Sequence, residues 1–228
     1  MIGIIGAMQV EVKTLTAMLE NAAEEFVSGI KFVKGSLHGK DVVVACCGVG
    51  KVFAAIAAEA MILKYAPELI INSGVGGAVS DKLKIADIVI SDSVVQYDMD
   101  TTAFGDPRGF ISGIDIVNIP ASKKAACLFA ECAEELGITY YTGRIASGDK
   151  FVSSIEDKLA IGKDFGALAC EMEGASIGHV CYVNKTDFVV LRSVSDSLTD
   201  DSAMEFEKFT ELATANSVKM LDRFIKKY

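Results

Sequence analysis

Histidine is nearly absent from this chain: His38 and His179 are the only two in 228 residues. That excludes a histidine-rich metal site. A Ser-His-Asp triad would have to use one of them. The sequence Leu-His-Gly-Lys-Asp reads as a hairpin turn around His38, and His179 is expected in mid-helix, so neither is placed for that role. Basic residues are also scarce, with 22 Lys and Arg against 31 Asp and Glu and a net charge of −9. A nucleic-acid surface needs a basic patch to replace counterions, and none is expected here. No apolar run reaches the roughly 18 residues that a membrane span requires. No basic leader precedes Ile2-Gly3-Ile4-Ile5-Gly6, so no secretory signal is expected. There is no Cys-x-x-Cys pair. Cys46, Cys47, Cys127, Cys132, Cys170 and Cys181 all read as small core hydrophobes of a protein in the reducing cytoplasm.

What is present is apolar material. Half the residues are hydrophobic and mean hydropathy is positive, ample for a large core. With no repeat, linker or low-complexity segment, residues 1–228 are expected to form one α/β domain. The most informative stretch runs from 167 to 197. An apolar strand leads into Glu171 and Glu173, a helix with a small-residue face follows, and a second apolar strand ends in Arg192, Ser193, Ser195 and Asp196. Continuous apolar strands belong to parallel sheets covered on both faces, and ligands of such sheets bind beyond the strands' carboxyl ends. Each acid could instead cap a helix or turn. Several polar groups at the ends of neighbouring apolar strands favour a site, because burying them without a partner is costly.

Along the chain, residues 2–5 read as a strand and a helix runs on to about Glu20, with Glu11 in its first turn. The Gly3 and Gly6 spacing does not make a dinucleotide fingerprint, and Gly48-Val49-Gly50-Lys51-Val52 fails as a phosphate loop because Ala45 and Val52 occupy required positions. Residues 30–37 and 41–46 suggest a hairpin, 51–65 an alanine-rich helix, and 69–72 a buried strand entering the glycine turn Ser73-Gly74-Val75-Gly76-Gly77-Ala78. Glycines there would let backbone N–H groups approach a ligand. A strand at 86–92 precedes a long irregular segment, 97–119, in which Phe104 is a candidate for covering a pocket or an oligomer interface. A helix at about 121–136, a strand at 138–146 and a final helix at about 203–226 complete the pattern. That last helix is expected to pack Phe206, Phe209, Leu212, Leu221, Phe224 and Ile225 into the core.

Eight segments, Gly3-Ile4-Ile5-Gly6-Ala7-Met8 with Glu11, Gly48 to Val52, Ile71 to Gly74, Ala86 to Asp92, Thr102 to Gly105, Ser147-Gly148-Asp149 with Phe151, Glu171 to Gly174, and Val190 to Asp196, together resemble one family in order and spacing. It is that of the 5′-methylthioadenosine/S-adenosylhomocysteine nucleosidases, of the purine nucleoside phosphorylase-like superfamily. The resemblance implies a three-layer α/β/α fold around a mixed, partly barrel-like sheet, a homodimer, and hydrolysis of the N-glycosidic bond of adenine thionucleosides without metal or organic cofactor. By the same resemblance Asp196 is the general acid at purine nitrogen-7, oriented by Ser195, and Glu11 activates the water. Glu173 holds the ribose hydroxyls over Met172, with Arg192 and Glu171 near the water and ribose. Phe151 stacks on the purine, Val152 offers it backbone bonds, and Ala7, Val49, Val75 and Gly76 complete the substrate-binding set. Phe104 reaches the alkylthio group of the neighbouring pocket, and Phe206 closes the other side.

These residue types fit the chemistry. Cleaving a ribosyl–purine bond passes through an oxocarbenium-like state and needs an acid for the leaving group and a base for water on the opposite face. Burial of Asp196 would raise its affinity for a proton. Val75 departs from the family's usual serine, and the Asp106-Pro107-Arg108 loop also differs, which opens the 5′ preference. A phosphorylase would need cationic or N–H partners for phosphate where this chain has Glu11. A hydrolase for a related adduct such as futalosine is the other enzymatic alternative. A nucleoside sensor would not need Glu11, Glu173 and Asp196 together.

Overall fold

The computed structural model describes residues 1–198 and 202–228. Its elements in order are β1 (Ile2–Gly6), α1 (Gln9–Ala17), β2 (Glu20–Val27), β3 (Ile30–Leu37), β4 (Lys40–Cys46), α2 (Lys51–Tyr65), β5 (Leu69–Ala78), β6 (Ile88–Gln96), β7 (Ile119–Pro120), α3 (Lys123–Leu136), β8 (Tyr140–Ser147), α4 (Ile155–Phe165), β9 (Ala167–Glu171), α5 (Gly174–Asn184), β10 (Asp187–Asp196) and α6 (Ser202–Lys227).

The expected α/β architecture is present, and the barrel character comes from one closed ring. β5 pairs parallel with β10, β10 antiparallel with β6, β6 parallel with β8, β8 parallel with β9, and β9 antiparallel back to β5. The first half of β5 also pairs with β1, which continues the sheet through β4, β3 and β2. Two large apolar clusters cover the two faces. One packs Ala54, Ala57, Ala58 and Met61 of α2 and Ile177 and Cys181 of α5 against the sheet; the other uses Leu15 of α1, Phe129 of α3, and Leu221, Phe224 and Ile225 of α6. At about 1.5–3 kcal/mol for each large apolar side chain removed from water, these layers hold the ring in shape.

Three differences from the sequence reading have clear causes. The first helix stops at Ala17, and residues 20–27 form an edge strand on β3. Its polar sequence, Glu-Asn-Ala-Ala-Glu-Glu, is exposed, so no apolar alternation marked it. The glycine stretch 73–78 is not a turn: β5 runs unbroken to Ala78, buried throughout. And α4 went unanticipated, although Ser154 caps it by accepting the Asp157 N–H at 3.0 Å. Three side-chain placements also differ. Leu212 of α6 is exposed, and Cys127 is exposed and Cys46 only half-buried, so these two thiols are not core; all six cysteines are free. Among the described residues no helix is long and apolar enough to cross a membrane.

Candidate active site

Glu11 stands one helical turn beyond the end of β1, where the chain must turn sharply into α1. Its Oε2 accepts the N–H groups of Ala7 (2.8 Å) and Met8 (2.9 Å), and Oε1 accepts that of Val75 on β5 (3.1 Å). The carboxylate therefore does cap α1, and from that position it also faces the cavity. Burial pushes its proton affinity up; the nearby Arg192 and the three N–H donors pull the other way. Gly74 makes the arrangement possible. A Cβ there would lie 2.9 Å from Glu11 Cδ and closer still to Oε1. Likewise a Cβ on Gly77 would lie 2.9 Å from Asp196 Oδ2. The β5 glycines thus admit carboxylates, where backbone approach to a ligand had been expected.

Arg192 is the hub. It is buried on β10 and ion-paired with Glu171 Oε2, donates from NH2 to Asn72 Oδ1 at 2.6 Å, and lies 3.6 Å from Glu173 Oε2. Among the described residues its Nε has no partner. Glu171 is fully engaged: Oε1 accepts the Ser147 hydroxyl, and Oε2 accepts the N–H groups of Glu173 (3.0 Å) and Gly174 (2.8 Å) at the start of α5. It holds Arg192 and α5 in place, which leaves it little freedom to bind ribose directly. Glu173 is different. Among the described residues its Oε1 accepts only the Gly50 N–H, at 2.8 Å. Burial, and then the charge of Glu171, raise its carboxyl to about 7. One guanidinium serves three neighbouring carboxyls, so the most weakly held of them is easiest to protonate or to hand to a hydroxyl.

On the other wall, the register of β10 against β5 slips between Val194 and Asp196, a bulge that re-aims the strand end. Ser195 Oγ donates to Asp196 Oδ1 at 2.8 Å. Oδ2 meets Lys158 Nζ at 2.6 Å, and Lys158, on α4, is completely buried. Asp196 is therefore buried as one half of an ion pair and not as an isolated acid. Lysine on a surface helix normally reads as solvated, which hid this partner. The signal was the period: Lys158, Ile161 and Phe165 are the buried face of α4.

The cavity between these walls is about 380 Å³. It brings together Ala7, Glu11, Val49, Val75, Gly76, Phe151, Val152, Glu171, Met172, Glu173, Ser195, Asp196 and Phe206. Phe151 and Phe206 meet edge to face, with centroids 5.5 Å apart, at its apolar end. Arg192 lies beneath the floor and does not line it. Phe104 does not line it either, and is 88% exposed. Besides Lys158, the sequence reading missed Asn72 and Ser147, which orient Arg192 and Glu171, and Asp149, whose Oδ1 accepts the Lys51 N–H at 2.8 Å. Lys51 Nζ reaches Asp98 Oδ1 at 2.5 Å, so the Gly48–Lys51 loop is fastened to the segment entering residue 98 and does not form a phosphate cradle. Among the described residues no group of three or more His, Cys, Asp or Glu could hold a metal ion.

A five-strand ring that brings Glu171, Glu173 and Asp196 to an apolar cavity, faced by Glu11 from beyond β1, makes the small-molecule site of an α/β protein. The chain belongs to the phosphorylase superfamily, whose profile matches residues 1–226, and within it to the 5′-methylthioadenosine/S-adenosylhomocysteine nucleosidases. The nucleosidase of that name from Shewanella halifaxensis is 40% identical over 226 residues, 99% of this chain and 98% of the relative. The Neisseria meningitidis nucleosidase, solved in complex with methylthio-immucillin-A, superposes with a TM-score of 0.96 at 34% identity, covering 100% of this chain and 99% of that one. The futalosine hydrolase of Helicobacter pylori superposes with a TM-score of 0.95 at 36% identity, covering 100% and 97%.

Proposed function

We propose that the protein hydrolyses the N-glycosidic bond of 5′-methylthioadenosine and S-adenosylhomocysteine, releasing adenine and the thioribose. One observation carries hydrolysis over phosphorolysis. The N–H groups of Ala7, Met8 and Val75, which could have bound phosphate, all donate to Glu11. A carboxylate there repels an anion and suits a water molecule. In this reading Glu11 aligns and deprotonates the water, and Asp196 protonates nitrogen-7 of the leaving adenine. Glu173 binds the ribose hydroxyls with Met172 under the sugar, and those bonds strengthen as the ring becomes cationic. Phe151 and Phe206 flank the purine and the 5′ arm, and the Val152 backbone meets the base. Val75 contributes an apolar wall where a hydroxyl would touch the water.

A homodimer supports this site. Val52 (70%), Leu63 (74%) and Phe104 (88%) are exposed apolar side chains that a partner would cover, and Phe104 would then reach the neighbouring 5′ pocket. Sedimentation as a monomer at micromolar concentration would remove that part of the reading. Six unpaired thiols suit a reducing cytoplasm. The hydrolase for a futalosine-type adduct is the second reading, favoured by the similarity to the Helicobacter pylori enzyme. The deciding experiment is adenine release from 5′-methylthioadenosine with and without phosphate. Free methylthioribose without phosphate is the expected product. A strict phosphate requirement yielding the sugar 1-phosphate would overturn the proposal.

A further inference from the structure

Both oxygens of Asp196 are occupied by side chains of the protein itself. Oδ1 accepts the Ser195 hydroxyl, and Oδ2 faces the Lys158 ammonium at 2.6 Å. Neither is free to carry a proton to a purine. A buried ion pair is seldom more stabilising than two well-packed apolar groups, so packing alone does not explain a lysine in the buried stripe of α4. The same ammonium also donates to the Ser197 carbonyl at 2.6 Å, so it can release Oδ2 and keep an acceptor. Among the described residues, Cys170 of β9 and Glu205 of α6 are the other titratable groups near the pair. The Cys170 thiol is pushed up to about 12 by burial and then by Asp196, so it stays neutral. Glu205 accepts the Ser197 N–H at 2.8 Å and neighbours the pair through that residue. Glu11 and Glu171 line the same cavity as Asp196, and Arg192 lies beneath its floor.

We infer that Lys158 is a positioning residue for the acid: it holds Asp196 as an ion pair and sets the alkaline edge of the reaction. This rests on the hydrolase reading above. On substrate binding one solvent proton goes to Asp196 Oδ2, and the ammonium, keeping its three protons, releases Oδ2 and keeps its bond to the Ser197 carbonyl. As the glycosidic bond breaks, its electron pair leaves with adenine and the proton passes from Asp196 to nitrogen-7. Water adds to the sugar, giving its proton through Glu11 to solvent, and Asp196 pairs again with Lys158.

Removing a cation beside a buried carboxylate favours the protonated acid. In Lys158→Met the alkaline limb of kcat/KM against pH should therefore move up by about one unit or more, whereas Lys158→Arg should leave it in place. A cooperatively folded Lys158→Met with the wild-type limb would overturn the inference, as would equal shifts in both variants. If wild-type protein releases no adenine, the hydrolase reading fails instead. Should Lys158→Met not fold, calorimetry of 5′-methylthioadenosine binding to Glu11→Gln in two buffers of different ionisation enthalpy decides. Uptake of close to one proton per site at pH 7.5 is expected, and no uptake would overturn the inference.

Discussion

Replacing Gly74 by alanine tests whether the geometry around Glu11 is as tight as the distances imply. Gly74 lies in regular extended backbone within β5, so the substitution introduces no backbone strain and acts only through the added methyl. That methyl would lie 2.9 Å from Glu11 Cδ and 3.3 Å from Arg192 NH1. Glu11 cannot swing aside cheaply, because three N–H bonds hold it in a buried place. Overpacking of this kind costs about 1–3 kcal/mol, and losing one charge-assisted bond adds roughly 1.5–3 kcal/mol, for a total on the order of 3–5 kcal/mol. A shift of the base by about 1 Å would cost about 100-fold in kcat. Urea unfolding and initial rates of adenine release measure both effects. A variant that keeps kcat within about threefold, with an unchanged unfolding midpoint, would refute the assignment of Glu11 as a rigidly held base.

Three further outcomes are expected. Glu173→Gln should flatten part of the pH dependence of stability in the ligand-free protein. The folded carboxyl is raised from 4.5 to about 7, so its contribution is complete below pH 4.5 and lost as pH rises to 7. That is about 3 kcal/mol at most, and equal slopes for both proteins between pH 5 and 7.5 would contradict it. Asp196→Asn should still bind adenosine but lose turnover by about 100-fold or more, the usual worth of general acid catalysis; hydrolysis at the parent rate would show that another group is the acid. Phe206→Ala should raise KM more than it lowers kcat, because it removes apolar contact at the cavity mouth without touching the reacting bond. A fall in kcat with KM unchanged would show instead that closing this edge organises the chemistry.

Much of the site was legible because its acids sit at the ends of apolar strands. Glu171, Glu173 and Asp196 follow β9 and β10, and Glu11 follows β1 by one turn. Strand after strand of continuous apolar residues pointed to a doubly covered sheet. Two elements and the end of a third were illegible: β2 is an exposed polar edge, the second half of β5 carries glycines that mimic a turn, and α4 hides its cap and its buried lysine in a short amphipathic run.

By itself the sequence determined most of the elements and their order, the acids and aromatics at strand ends, and the family motifs that join them, since all of these are local patterns of period and type. Only the tertiary structure decided which charges meet. Arg192 and Asn72 are separated by 120 residues, and Lys158 and Asp196 by 38. Closing the ring through β5, β10, β6, β8 and β9 puts them in contact. Periodicity shows which face of an element is buried, but in a low-dielectric interior the partner across the gap sets the energy of a charge.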